Sequence, residues 1–271
     1  MAEKSGPSGV DLEWNDEDVL PPVLSPDTEF VFRRMTEVTL KAADVGPSLR
    51  VLDVGCGRGL DAASMAGQGG TLFGCEPSRV MVAKARRQME SFPGRFWVVS
   101  SLAETLPFAS RSFHRVVCKG AIDHFQSPDR AVSEMCRVTS PAGKVVISVA
   151  NFESLSCILS RALNRCVERA RGRGIPPPHI WEIPRDHTHK FDFAATFRVA
   201  AKFLKIESVR GVSLLWGFPR WPAALKRVPA STASLLLRLL DRIAWRYPKW
   251  SDVVILVGRP RHHSPARERR I

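Results

Sequence analysis

"VLDVGCGRGL", residues 51–60, decides how the rest of the chain is read. Residues 51–56 form an apolar, strand-like run interrupted by one acid, Asp53. The run breaks at a glycine, and three glycines fall at alternate positions: Gly55, Gly57 and Gly59. A near-continuous apolar strand is one covered on both faces, the condition of a parallel sheet. A glycine-rich turn after it lets the backbone approach a ligand closely, and the helix beyond presents unpaired N–H groups.

Outward from this stretch, strand-like and helix-like segments alternate. Strands are expected near 50–54, 71–75, 95–99, 114–118 and 144–149, and helices near 60–67, 78–91 and 129–139. That alternation implies an α/β, doubly wound parallel sheet with helices on both faces. Residues 27–44 read as a preceding helix with Asp27 as its N-cap. The order then breaks. Residues 152–190 form an excursion with a helix at 153–171 and a proline turn at 176–178, and residues 217–248 form a second excursion. A helix near 193–203 and a strand near 206–213 lie between them, and "DVVILVG" (252–258) supplies a last strand. The domain is therefore drawn at 27–258. Residues 1–26 are expected to be a flexible acidic arm able to order over a site, and 259–271 a disordered basic tail.

Residues 1–30 hold eight acids and one lysine, which leaves net +20 on the remainder of a chain whose total is +13. So basic a body suits an anionic partner or a heavily solvated surface. With 44% apolar residues the chain can bury one large core. The six cysteines are scattered with no CxxC pair, which argues against a zinc or redox motif and for reduced thiols in a cytoplasmic protein. The acidic N-terminus lacks the apolar core of a signal peptide, and no run approaches the roughly 20 residues of a spanning helix.

The loop itself departs from two phosphate-binding fingerprints. GxGxxG/A needs Gly or Ala at position 60, where Leu60 stands, and a P-loop needs GK[ST], which is absent. A strand acid followed by GxGxG instead resembles the first motif of the class I S-adenosylmethionine-dependent methyltransferases. Further segments continue the resemblance in the same order: "GCEPS" (74–78), "AETLPFASRSFHRVVC" (103–118) and "AVSEMCRVTSPAGKVVISVAN" (131–151). It covers residues 45–151 continuously, and the terminal strands fit that family's reversed seventh strand. The resemblance implies a Rossmann-like seven-stranded sheet with helical insertions, and S-adenosyl-L-methionine as cofactor. It places Gly55, Cys56, Gly57 and Gly59 around the methionine part, with Asp53 orienting the loop and attracting the ammonium. It places Glu76, followed by Pro77, at the ribose hydroxyls, Ala103 and Glu104 at the adenine, and Lys119 near the sulfonium. Two positions depart from the family. Leu102 stands where an Asp often accepts from the adenine amino group, and His114 replaces the Asp of "SFD", a position read as surface or capping.

Methyl transfer requires an aligned acceptor and, for a hydroxyl, a base to take its proton. His124, in "KGAIDHFQSP" (119–128), matches a histidine common in the small-molecule, ubiquinone- and menaquinone-biosynthesis-like branch; it reads as a base or as a bond holding its own loop. His187 and His189, in "WEIPRDHTHKFDF" (181–193), read as pocket residues or as caps of the next helix. No carboxylate cluster accompanies them, so no metal site is expected. The N/D-P-P-Y/F and Pro-Cys signatures of base methylation are absent after the fourth strand, which disfavours nucleic acid as substrate. Arginines recur every fourth residue at Arg161, Arg165 and Arg169, with apolar residues on another face, and again at Arg238, Arg242 and Arg246, with Leu236, Leu240, Ile243 and Tyr247 opposite. Both segments read as basic amphipathic helices, either covering the domain or meeting an anionic membrane surface. The expected function is methyl transfer to O or C of a small or lipid-like molecule by a cytoplasmic, or membrane-peripheral, enzyme. The alternatives are an RNA methyltransferase and a cofactor-binding regulator without catalysis.

Overall fold

A computed structural model describes residues 11–18, 24–175, 179–182, 184 and 187–261. The proline turn expected at 176–178 and most of the basic tail lie outside these residues. In chain order the elements are α1 (Pro26–Ala43), β1 (Arg50–Val54), α2 (Leu60–Gly67), β2 (Thr71–Glu76), α3 (Arg79–Glu90), β3 (Phe96–Ser100) and β4 (Phe113–Lys119). There follow α4 (Pro128–Val138), β5 (Thr139–Ala150), α5 (Leu155–Arg171), α6 (Phe193–Phe203), β6 (Leu204–Val212), α7 (Trp221–Leu225), α8 (Ala230–Arg246) and β7 (Val253–Pro260). Among the described residues seven strands form one sheet in the order β3-β2-β1-β4-β5-β7-β6. β1 to β5 pair in parallel, and β7 runs antiparallel to both β5 and β6. This is the Rossmann-like methyltransferase sheet with its last strand reversed.

The apolar runs of the central strands are apolar because both faces are covered. Leu52, Val116, Ile147 and Leu256 pack into a core on one face, and Val51, Val117, Val146 and Ile255 into a core on the other. Full burial of side chains of this size stabilises by about 1.5–3 kcal/mol each. The chain runs outward from β1 to β3, then returns to β4 on the other side of β1. Ligands bind at such a reversal, beyond the C-terminal strand ends.

Caps fix the helices that border this edge. Ser78 caps α3 by accepting from Met81 N–H, Ser154 caps α5 through Cys157 N–H, and Asp192 caps α6 through Ala195 N–H. Asp27 corrects the sequence expectation: the N-cap of α1 is Ser25, with Pro26 opening the helix. Asp27 lies in the first turn, fully buried, where Oδ2 accepts from Gly217 N–H. The boundary drawn at 258 also moves. β7 runs on to Pro260 because Leu204 and Lys205 of β6 continue to pair with it.

The two excursions are tied together by a buried acid. Asp252 accepts from Ser156 Oγ of α5 at 2.8 Å and from Trp216 N–H at 2.9 Å. Burial pushes its carboxyl up to about 6, against the pull of these donors.

Candidate active site

β1 ends at Val54, and the chain turns through Gly55, Gly57 and Gly59 at φ 72°, 52° and 79°, the left-handed region that favours glycine. Two of these glycines meet different surroundings. A Cβ on Gly55 would overlap Ala121 Cβ, so Gly55 lets the loop cross closely over the end of β4. A Cβ on Gly57 would meet only Met81 Cε, at 3.4 Å. On that side the loop faces room rather than packed protein.

Two strand acids sit under this loop. Glu76, at the end of β2, is buried and locked by two backbone donors: Gly57 N–H to Oε2 at 3.1 Å and Ser78 N–H to Oε1 at 2.9 Å. Burial pushes its carboxyl above the usual range despite these bonds. Asp53 is 2% exposed and receives no protein hydrogen bond among the described residues. Burial, with the nearby Asp61 charge, pushes its carboxyl up to about 8, against the pull of Lys119. Lys119 itself is engaged: its Nζ donates to Thr36 Oγ1 at 2.7 Å and pairs with Asp61 Oδ2 at 2.8 Å. A buried carboxylate without a donor and a locked carboxylate with lone pairs to spare are acceptors awaiting donors.

The other residues assigned to the cofactor fall nearby. Cys56 packs its Sγ where a Cβ on Gly74 of β2 would stand, which places it beneath the loop. Burial pushes the Cys56 and Cys118 thiols well above their usual range and Cys75 to about 12, so they stay protonated. Pro77 follows Glu76 directly. Ala103 is buried, and Glu104 accepts from Ser127 N–H at 3.0 Å, holding the turn into α4. His114 takes Arg50 N–H on Nδ1 at 3.0 Å, a strand-edge bond.

The acidic arm lies against this edge. Arg79 N–H donates to Leu12 O, and Ser78 Oγ donates to Trp14 O at 2.6 Å. Asp16 pairs with Arg58 of the glycine loop and with Lys84 of α3. Burial alone would raise the Asp16 carboxyl, but the two cations outweigh it and hold it below its usual range. Residues 11–18 thus join the loop to α3.

After β4 the chain makes a 3-10 turn, Ile122–His124, which brings in an acid that sequence reading left without a role. Asp123 is 2% exposed, and its Oδ2 lies 3.1 Å from Nδ1 of His187. Burial works to raise its carboxyl, and the two neighbouring histidines, His187 above all, outweigh that and lower it. Oδ1 is buried with no hydrogen-bond partner among the described residues. His124 sits with its ring centroid 4.4 Å from that of His187 and 5.8 Å from Trp14, and Phe152 stacks its edge on His187 at 5.9 Å. His189 goes elsewhere: its Nε2 lies 3.1 Å from Gln126 O. The Asp123 carbonyl accepts from both Thr188 and His189 N–H, so this aspartate fixes the histidine loop by its backbone as well as its side chain. The available signal was adjacency: an acid beside a candidate histidine in "AIDHF" (121–125).

The methyltransferase-domain family matches residues 52–147. The chain is 33% identical over 138 residues to the methyltransferase GfsG of Streptomyces halstedii, which is 50% of this chain and 48% of that one. It is 33% identical over 131 residues to a demethylmenaquinone methyltransferase of Beutenbergia cavernae, 48% of this chain and 52% of that one. The chain thus spans about half the length of the curated relatives it matches. A solved S-adenosylmethionine-dependent methyltransferase of Thermotoga maritima, described as a possible histamine N-methyltransferase, aligns with TM-score 0.55 at 19% identity. That alignment covers 85% of this chain and 89% of that one, and is a likeness of fold.

Proposed function

We propose that this chain, whose residues 52–147 belong to the methyltransferase-domain family and whose sheet is that of the class I S-adenosylmethionine-dependent enzymes, methylates a small, lipid-like molecule at oxygen or carbon. The observation that carries the reading is a histidine held by a buried aspartate beside a glycine loop that covers two buried carboxylates.

The residues present fit S-adenosyl-L-methionine. Asp53 offers an unpaired carboxylate to the ammonium, Glu76 offers its spare lone pairs to the ribose hydroxyls, and Gly57 leaves the loop backbone open to the ligand. Bound there, the cofactor supplies a methyl group on a positively charged sulfur. Asp123 Oδ2 lies 3.1 Å from Nδ1 of His187, close enough to stabilise a positive charge on that ring. His187 takes the acceptor's proton, and the buried Asp123 carboxylate stabilises the imidazolium that results. His124, between Trp14 and His187, is a second candidate to touch the acceptor. His189, bound to Gln126 O in the turn after β4, holds the loop.

The walls near His187 are aromatic: Phe152 is 7% exposed, and Trp14 lies beside His124. Such walls suit an apolar or aromatic acceptor. Demethylmenaquinone, the substrate in the name of one relative, is of this kind and is the first acceptor to assay. The six cysteines are free thiols, which supports a reducing, cytoplasmic setting. Among the described residues no helix is long and apolar enough to cross a membrane.

The test is incubation of the full chain with methyl-labelled cofactor and fractionated cell extracts. Label should move into the organic-extractable fraction, and His187→Gln should reduce that transfer by about 10²–10⁴. Label that stays with RNA in the aqueous phase would favour the RNA reading suggested by the basic body. Tight cofactor binding without any transfer would mean a non-catalytic regulator.

A further inference from the structure

We infer that the outer face of α8, continued by the start of α5, docks on an anionic lipid bilayer. The starting point is which side of each helix is buried. α8 buries Ala233 and Leu237 against Phe30 of α1 and Leu225 of α7, and Asp241 and Ala244 toward the end of β6. Its larger apolar side chains face out: Leu235, Leu236, Leu239 and Ile243 are 52%, 38%, 44% and 47% exposed. At 100° per residue these four form one stripe, and Arg238, Arg242 and Arg246 form the ridge beside it. The only acid in α8 is Asp241, which is buried and bound by Arg34 Nε at 2.8 Å and Ser213 N–H at 3.1 Å. The exposed charge of α8 is therefore wholly positive. Among the described residues no ion pair neutralises its three arginines.

α5 repeats the arrangement in part, since Arg161 is paired with Glu153 and Glu168 is exposed. It buries Ser156, Cys157 and Ser160 and exposes Ile158, Leu159 and Leu163, with Arg165 and Arg169 alongside. The two helices meet end to start, since Leu155 N–H donates to Trp250 O just beyond α8. Trp245, Tyr247 and Trp250 stand 40–49% exposed around that junction. Apolar stripe, basic flank and half-exposed aromatics are the combination by which a helix lies in a membrane interface.

Charge decides between occupants. A second copy would bring three more arginines against a helix face that carries no exposed acid. An anionic headgroup layer complements it, as does the net +20 of the chain beyond residue 30. Position gives the docking a consequence. α5 begins five residues after the C-terminal end of β5, on the sheet edge that holds the site, and Phe152 of that connection touches His187. Docking would present the site edge to the phase into which a lipid-like acceptor partitions. That consequence rests on the methyltransferase reading; the docking itself does not.

The experiment is co-sedimentation of the full chain with vesicles of phosphatidylcholine, with and without phosphatidylglycerol. The protein should sediment with the anionic vesicles at low salt, less at high salt, and weakly with the neutral ones. Arg238→Gln/Arg242→Gln/Arg246→Gln should lower partitioning by about a hundredfold. Leu239→Ser/Ile243→Ser should weaken it while leaving circular dichroism and cofactor affinity unchanged, because both side chains are solvent-exposed. Wild-type protein that ignores anionic vesicles at low salt would overturn the proposal. So would vesicle binding that neither variant weakens, or a wild-type dimer that Leu239→Ser/Ile243→Ser splits, which would make the face a contact between copies. A failure to methylate any acceptor would leave these results as they stand, and the reverse holds as well.

Discussion

Replacing Glu76 by Gln tests the cofactor assignment most directly. The wild-type carboxylate accepts from Gly57 N–H and Ser78 N–H, and these two bonds aim its remaining lone pairs. Gln has nearly the same shape but only one acceptor oxygen, so one backbone donor and one ligand hydroxyl lose their partner. Hydrogen bonds to a charged acceptor are worth about 1.5–3 kcal/mol, so cofactor affinity should fall roughly ten- to a hundredfold. Fold stability should respond differently. Because burial raises the Glu76 carboxyl above its unfolded value, the ionised group is a load on the folded state, and the protonated form is the one folding favours. Any stability this group contributes is present at low pH and falls as pH rises through its raised folded value. A neutral Gln removes that load, which offsets the lost bond to the backbone. Titration calorimetry with S-adenosyl-L-methionine, alongside thermal unfolding at neutral pH, separates the two effects. The expected result is a large loss of affinity with little change in melting temperature. An affinity change under threefold would refute the reasoning and mean that the ribose is held elsewhere.

Other outcomes follow from the same geometry. Gly57→Ala should weaken cofactor binding with a modest loss of stability from its positive φ, whereas Gly55→Ala, which also overlaps Ala121 Cβ, should destabilise the fold more. Cofactor affinity should rise with pH by up to about tenfold per unit below pH 8, because binding an ammonium requires Asp53, pushed up to about 8, to lose its proton. The rise should stop where the ligand's own amino group, at about 7.7–8.0, loses its charge, and Asp53→Asn should flatten it. Asp123→Asn should lower the rate and distort its pH profile while leaving cofactor affinity intact, since the Asp123 carboxylate lies against His187. Asp16→Asn, which leaves Arg58 and Lys84 paired with Glu17 alone among the described acids, should speed cofactor release about two- to fivefold in stopped-flow measurement, equivalent to about 0.5–1 kcal/mol.

The sequence alone determined the sheet and the glycine turn after its first strand. Apolar runs such as residues 51–54 declare doubly covered strands, and Gly55, Gly57 and Gly59 mark a turn that other residues enter only with strain. These are local demands of backbone and burial, so they are legible residue by residue. Which histidine meets an acid was not local. His187 and His189 are two residues apart in a polar loop, and their fates differ because the carbonyl of Asp123, 64 residues before His187, anchors that loop and its carboxylate pairs with only one of them. The buried face of α8 was likewise beyond reach. Hydrophobicity points to the leucine face, yet the helix packs through Ala244 because it approaches the backbone of β6 at Gly211, where even a Cβ would collide with the Ala244 carbonyl. Only a small side chain fits so close an approach at position 244, and Leu235, Leu236 and Leu239 are left outside, while Leu237 alone of the helix's leucines is buried, against α1 and α7. That choice depends on the distance between a helix and a strand, which only the assembled fold sets.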